Sequence, residues 1–266
     1  LIARAGAAVL GSPIAHSLSP SLHRAAYGAL GLDGWTYRAI ECRSDELSAA
    51  LRSLDDEGLA GVSLTMPLKQ AVVPMLASAD ELVGEVSGAN TVLFGDVAGE
   101  WAGYNTDVPG MVDALGSLDL PDTATVLGAG ATARSAVVAL ALLGVRRVAV
   151  RARRPSAAAD LVSLGAGRGL VVEIEPWASE PVDAGLLLST VPAGAADAIR
   201  VAGDVTKRVL FDVVYAPWPT PLAAAWSAAG GTVIGGLELL VAQAARQVTL
   251  MTGREAPVEA MRAAVT

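Results

Sequence analysis

At 266 residues and 53% hydrophobic, the chain has room for one large or two modest domains, and its composition excludes a disordered protein. Its 27 acidic residues against 19 basic ones leave a formal net charge of -8, which repels a phosphate backbone and argues against nucleic acid as a partner. One cysteine, Cys42, and two histidines, His16 and His23, exclude a disulfide framework and an all-cysteine or histidine-rich metal centre, so no metal is expected.

Short apolar or β-branched runs alternate with alanine-rich helical stretches. Residues 7–10, 35–40 and 61–65 are expected to be strands, with 20–30 and 45–54 as helices. This alternation favours parallel strands with crossover helices and an α/β fold class. After Asp107, a helix over 109–115 leads through a turn at 117–122 into a strand at 123–127, a glycine-rich turn and a long helix over 132–143. A second βαβ system therefore begins near residue 105. Further strands at 147–150, 171–174, 184–189, 209–213 and 232–234 would complete a doubly wound sheet of Rossmann size, and 237–252 reads as an amphipathic helix. Two such domains on short connections would form a cleft, where a cofactor held by one could meet a substrate held by the other.

The most apolar stretch, 135–150, is interrupted by Gly144, Arg146 and Arg147. It falls short of the roughly 20 apolar residues that a membrane span requires, so a buried helix followed by a strand is expected and no membrane partner. The chain opens on Leu1 without a basic, apolar and small-residue signal pattern, which points to a reducing, cytoplasmic location.

In TVLGAGATA, Gly128 follows a strand, Gly130 would let the backbone approach a pyrophosphate, and Ala133 takes the third small position where helix packs on strand. The helix N-terminus would offer unpaired N–H groups to the anion. An ordinary strand-to-helix turn using glycine for a positive φ has the same local sequence, but the flanking strand and helix favour nucleotide binding. No acidic residue stands between Arg134 and Asp160 to take a ribose 2′-hydroxyl; the next strand ends instead in Arg151, Arg153 and Arg154. Guanidinium groups there suit a 2′-phosphate, so NADP is expected over NAD, with a solvated basic edge as the competing reading.

Four polar motifs precede that turn: HSLSP at 16–20, SLTMPLK at 63–69, ANT at 89–91 and GYNTD at 103–107. Each has a plain reading. Ser17 and Ser19 could cap a helix beginning at Pro20, and His16 in that loop reads as structural. Thr65 could be a strand end and Asn90 a turn residue. Asn105 and Asp107 suit a loop ahead of Pro109, and Lys69 alone reads as a surface lysine.

Taken in order, these motifs resemble those of the shikimate/quinate dehydrogenase family, and specifically its NADP-linked shikimate dehydrogenases. HSLSP resembles H-S-x-S-P, SLTMPLK resembles N-V-T-x-P-x-K, and GYNTD resembles G-x-N-T-D. Similarly, DVVYAPWPTPL at 212–222 resembles D-x-x-Y-x-P-x-x-T-P-L, and GLELLVAQA at 236–244 resembles G-L-G-M-L-V-x-Q-A. The resemblance implies that Ser17, Ser19 and Tyr215 hold a substrate carboxylate, while Thr65, Lys69, Asn90, Asp107 and Gln243 meet the ring hydroxyls. It implies that NADP lies against Gly128, Ala129, Gly130, Ala131 and Thr132, with Arg153 at the 2′-phosphate and Val213 and Gly236 at the nicotinamide; Arg154 is a second candidate for the 2′-phosphate from its charge and place alone.

The implied reaction is reversible reduction of 3-dehydroshikimate to shikimate, on the route to the aromatic amino acids. Lys69 would supply the proton and Asp107 would orient it. The implied domains are a substrate-binding one, 1–104 with the terminal helices of 237–266, and an NADP-binding Rossmann domain, 105–236, in a monomer or homodimer.

The chain departs from the pattern at Ser63, where Asn is usual, one turn-forming polar group for another. Ala152, Arg153 and Arg154 stand where the family has N-R-T, so only the central arginine is matched; Ala131 replaces a glycine, and Glu238 with Leu239 replaces G-M. Competing readings are a quinate/shikimate dehydrogenase with relaxed substrate or cofactor choice, a non-catalytic NADP-binding sensor, and an enzyme like methylenetetrahydrofolate dehydrogenase. HSLSP and Tyr215 point away from the last, and the retained Lys69 and Asp107 away from the sensor.

Overall fold

The first strand, β1 (Ala7–Gly11), is buried along its whole length, as a strand covered on both faces must be. The computed structural model describes residues 4–177 and 181–266. After β1 come α1 (Ser19–Ala29), β2 (Tyr37–Glu41), α2 (Leu47–Asp56), β3 (Gly61–Leu64), α3 (Leu68–Ala71), β4 (Ser78–Ala79), α4 (Glu81–Val86), β5 (Thr91–Phe94), β6 (Trp101–Tyr104) and α5 (Asp107–Leu115). Leu47, Leu51 and Leu54 recur at helical spacing on α2, and all three are buried. Helix α4 starts where the Asp80 carboxylate accepts from the Val83 N–H at 2.7 Å. It stops at Ser87, whose φ of 51° is left-handed, and the chain then turns into Gly88, Ala89 and Asn90.

The second half runs β7 (Thr123–Leu127), α6 (Ala131–Leu142), β8 (Arg147–Ala152), α7 (Ala159–Gly167), β9 (Val171–Pro176), β10 (Leu186–Ser189), β11 (Val209–Asp212), α8 (Pro221–Ala228), β12 (Thr232–Gly235), α9 (Gly236–Thr252) and α10 (Val258–Ala263). The chain divides into two units. One comprises the described residues through Asp107 together with Leu240–Thr266, and the other is Val108–Leu239.

The sheet of the first unit has the order β2-β1-β3-β5-β6-β4. Strand β1 is parallel to β2 and β3, as the alternation of elements leads one to expect, but β5 is antiparallel to both β3 and β6. Strands β5 and β6, absent from the expected elements, turn back because they are joined only by residues 95–100, with Gly95 N–H donating to Glu100 C=O at 3.1 Å. A parallel crossover needs a dozen or more residues, so this connection can only make a hairpin. The register sets Ser63 opposite Thr91 and Thr91 opposite Tyr104. The start of β5 and the ends of β1, β3 and β6 therefore share one edge of the sheet.

Leu10, Leu51, Val62, Leu64, Leu68, Val92, Phe94 and Trp101 belong to one apolar core of this unit. A second packs Ala7, Val9, Tyr27 and Tyr37 with Met251 of α9, so the terminal segment closes the unit that the first strand opens.

The sheet of the second unit is wholly parallel, in the order β12-β11-β10-β7-β8-β9. Its first strand in sequence lies at the centre, with successive strands added outward on either side, which is the doubly wound Rossmann arrangement. The glycine-rich turn leaves β7 at the point where the winding reverses, the general place for ligands in open α/β sheets. Among the described residues no helix is long and apolar enough to cross a membrane.

Asp55, at the end of α2, joins separate parts of the first unit. Its carboxylate accepts from Trp101 Nε1 at 2.9 Å, from Gly99 N–H at 3.1 Å and from Arg4 Nη2 at 2.7 Å. Burial opposes its ionisation, but the three donors outweigh burial and hold the carboxyl below the usual range. A depressed folded-state pKa contributes stability that is present above the unfolded pKa and lost as pH falls through the folded one. Asp55→Asn should lower stability by about 1–3 kcal/mol near neutral pH. The gap to the parent protein should narrow in urea unfolding below about pH 4; a gap independent of pH would show that the charge is not what the donors hold.

Candidate active site

The shared edge of the first sheet carries four of the polar motifs. HSLSP follows β1, SLTMPLK runs out of β3, ANT leads into β5 and GYNTD runs out of β6. The corner after β3 is tight: Thr65 N–H donates to Leu10 C=O at 2.9 Å, and a Cβ on Gly11 would fall on the Thr65 methyl. Glycine at the end of β1 thus leaves room for Thr65.

Lys69 lies in the short helix α3 and Asp107 begins α5, where a carboxylate is favoured by the helix dipole. Lys69 Nζ donates to Asp107 Oδ2 at 2.6 Å, and the two side chains are 15% and 5% exposed. This is a nearly dry ion pair, so the surface-lysine reading of Lys69 does not hold. Asp107 Oδ1 accepts from Asn90 Nδ2 at 2.9 Å, and Gln243 Oε1 lies 3.4 Å from the same nitrogen. Asn90 Oδ1 accepts from Thr106 N–H at 2.8 Å and from Thr91 Oγ1 at 3.0 Å. The Lys69 carbonyl accepts from Ala89 N–H at 2.8 Å, which fastens the lysine's own backbone to the ANT segment.

Lys69, Asn90, Asp107 and Gln243 are thus brought together, and the turn and loop readings of Asn90 and Asp107 are too weak for the bonds they make. Asn105 is structural: its Nδ2 donates to Gly88 C=O at 2.8 Å and its N–H to Asp80 Oδ2 at 3.1 Å. Ser17 is half-buried and Ser19 buried. Leu18, not a serine, takes the cap position of α1 and makes no side-chain cap bond; Ser17 Oγ accepts from Ser19 N–H at 3.3 Å.

Gln247, Thr91 and Thr106 also belong to this cluster; the sequence reading gives no site role to the two threonines, which lie inside the ANT and GYNTD motifs, and omits Gln247. Gln247 Nε2 donates to Thr91 Oγ1 at 3.1 Å and to Asn90 C=O at 3.2 Å. The usable signal was its spacing of four from Gln243, which puts both amides on one face of α9. Ser63 is no turn residue. It lies in β3, 3% exposed, between Tyr37 and Gln247.

In the second unit Gly128 has φ of +111°, and a Cβ there would meet Thr190 Oγ1 at 2.7 Å. Gly130 sits at the cap of α6 with nothing within 4 Å of where a Cβ would stand. Open backbone at a helix N-terminus, followed by Ala131 and Thr132, suits a dinucleotide phosphate. The arginines after β7 and α6 divide. Arg151 is buried and its Nε donates to Glu175 Oε2 at 2.8 Å, whereas Arg153 and Arg154 are exposed. The exposed pair has no acidic partner among the described residues, as an anion site requires.

Tyr215 is half-buried in the loop after β11. That loop is clipped by the buried Asp212, which accepts from Val214 N–H at 3.2 Å and from Thr220 Oγ1 at 2.7 Å. Burial raises the Asp212 pKa, against the opposing pull of those bonds. Val213 and Gly236 meet backbone to backbone: a Cβ on Gly236 would fall on the Val213 carbonyl.

Comparison with known proteins points to one family. A family model described as shikimate dehydrogenase substrate binding domain matches residues 9–92, and one described as shikimate 5'-dehydrogenase C-terminal domain matches residues 236–266. The chain is 38% identical over 265 residues to the NADP(+) shikimate dehydrogenase of Halobacterium salinarum, covering 97% of each. To that of Moorella thermoacetica it is 34% identical over 268 residues, covering 96% of this chain and 90% of the relative. Among solved structures, Mycobacterium tuberculosis shikimate dehydrogenase is 43% identical with a TM-score of 0.86 over 98% of both chains. The Thermus thermophilus enzyme, solved with NADP(H) and shikimate, is 31% identical with a TM-score of 0.81 over 98% of both chains.

The backbone approach of Val213 to Gly236 gives a local test, because no rotamer change can relieve a clash with a carbonyl. Gly236→Ala should destabilise the protein by roughly 1–3 kcal/mol in urea unfolding. An unchanged midpoint would mean that the two segments have slack.

Proposed function

The chain belongs to the shikimate dehydrogenase family, and from that premise we propose that it catalyses the reversible NADPH-dependent reduction of 3-dehydroshikimate to shikimate. The observation that carries the reading is the Lys69–Asp107 pair at 2.6 Å, fixed by Asn90 and standing beside Gln243.

The reaction moves a hydride and a proton. Bound NADPH supplies the hydride; the protein must position the ring and handle the proton on the oxygen at C3. Lys69 is the candidate acid in reduction, as an ammonium with protons beyond the one given to Asp107, and the candidate base in oxidation, as the neutral amine that takes up the hydroxyl proton. Asp107 fixes the direction of the Nζ–C bond and keeps a negative charge beside the ammonium. Asn90 and Gln243 bring amide donors and acceptors for ring hydroxyls, Thr65 adds a hydroxyl, and Ser17 with Ser19 offers neutral donors to a carboxylate. The backbone at Gly128, Ala129, Gly130, Ala131 and Thr132 would hold the pyrophosphate, and Val213 with Gly236 would flank the nicotinamide. Arg153 and Arg154 would meet the 2′-phosphate; Arg151, committed to Glu175, would not. We place the enzyme in the cytoplasm as a monomer or homodimer.

Lys69→Ala should cut kcat by about 10²–10⁴-fold, the ordinary cost of losing an acid–base group, with NADPH affinity unchanged. Near-normal turnover in a folded Lys69→Ala protein would remove the lysine from the proton step. Arg153→Ala should raise the KM for NADPH by at least about 10-fold while leaving that for NADH nearly unaltered; equal effects on the two cofactors would reject the 2′-phosphate role.

A further inference from the structure

Beneath the Lys69–Asp107 pair runs a chain of buried hydrogen bonds whose donors all point one way. Tyr37 O–H donates to Ser63 Oγ at 2.7 Å, and Ser63 O–H donates to Gln247 Oε1 at 2.8 Å. At the other end of the same amide, Gln247 Nε2 donates to Thr91 Oγ1, and Thr91 O–H donates to Asn90 Oδ1. Asn90 Nδ2 then donates to Asp107 Oδ1, which leaves Oδ2 for Lys69. Tyr37, Ser63, Gln247, Thr91 and Asn90 are all buried, so water is not at hand to replace a missing member.

Polarity in such a chain is set by groups that cannot reverse. His23, fully buried and stacked on Tyr37 at 3.9 Å between ring centroids, places Nε2 3.3 Å from Gln247 Oε1. Burial pushes its imidazole down to about 3, partly offset by the Gln247 bond, so the ring is neutral. Its Nε2 can donate or accept according to tautomer, so the group that orients the amide is the Asn90 carbonyl, which can only accept: the Gln247 NH2 faces that carbonyl and Thr91, and its oxygen faces Ser63 and His23. With an N–H pointed at its oxygen, Thr91 has its own proton driven toward Asn90. At the Asn90 end, Thr106 N–H is fixed by the backbone and also demands the Asn90 oxygen.

We propose that Gln247 and Thr91 are positioning residues of this site: together they impose one orientation on the Asn90 amide, which keeps one oxygen of Asp107 occupied and the other turned to Lys69. Neither hydrogen-bonds to Lys69 or Asp107 among the described residues. The catalytic part of this inference rests on the activity proposed above, whereas the locking of Asn90 does not.

The test compares Thr91→Val, which keeps the shape but removes the hydroxyl, with Thr91→Ser, which keeps the hydroxyl. Thr91→Val should lower kcat for shikimate oxidation about 10-fold or more, the scale on which displaced catalytic groups act, with the KM for NADP unmoved, and Thr91→Ser should restore most of the loss. In ¹⁵N NMR, the Asn90 side-chain NH2 should exchange slowly with solvent in the parent and Thr91→Ser proteins and quickly in Thr91→Val. Gln247→Leu should act in the same direction; if it does not fold, the Thr91 pair still decides. Parent-like kcat and a slowly exchanging Asn90 amide in Thr91→Val would overturn the proposal. A parent protein without turnover, whose Asn90 amide is nonetheless freed by Thr91→Val, would defeat the proposed activity and uphold the positioning role.

Discussion

A lysine ammonium 2.6 Å from a buried carboxylate is the constraint around which the first unit is arranged. Taking two charges out of water costs several kcal/mol each, and their attraction repays this only when the remaining hydrogen-bonding capacity is met. Asp107 has its second oxygen met by Asn90, and Asn90 has its own oxygen met by Thr91 and Thr106. Lysine donors not used by Asp107 are the ones left for chemistry. The antiparallel turn-back of β5 and β6 makes this arrangement reachable, because it carries Asn90 and Asp107 to the edge where β3 delivers Lys69. An all-parallel sheet would send the start of β5 to the opposite edge.

The second unit does its work with backbone rather than charge. Gly128 supplies a positive φ, Gly130 leaves open space before a helix N-terminus, and Gly236 accepts a carbonyl where a side chain would not fit. Of the three, Gly130 leaves the main chain open for an anion, while Gly128 and Gly236 let segments of the protein itself pack close. Arg153 and Arg154 add positive charge to the proposed cofactor site, and their exposure without acidic partners among the described residues leaves them available.

Much of this was legible in the sequence where the signal is local. The turn after β7 announces itself through glycine spacing between an apolar run and an alanine-rich helix, and the missing acidic ribose ligand is visible by inspection. Lys69, Asn90 and Asp107 were reachable through their motifs, although no local pattern shows that they touch. What the sequence hid is non-local. ANT and GYNTD stand out as polar motifs, no strand is expected at 91–94 or 101–104, and only the short connection between these segments explains why they pair as a hairpin. Ser63 looked like an exchange of one turn residue for another, yet it bonds Tyr37 and Gln247 in the interior, two partners far away in the chain. Arg151 and Arg153 are chemically identical. The register of β8 against β9 sets Arg151 beside Glu175 and leaves Arg153 in water, and no composition argument separates them.

The most direct measurement is loss of reduced-nicotinamide absorbance when the purified protein is mixed with 3-dehydroshikimate and NADPH or NADH, followed by the reverse reaction with shikimate and quinate. The expected result is rapid oxidation selective for NADPH, with shikimate strongly preferred over quinate. No turnover with any pair, or equal use of both cofactors and both acids, would contradict the account.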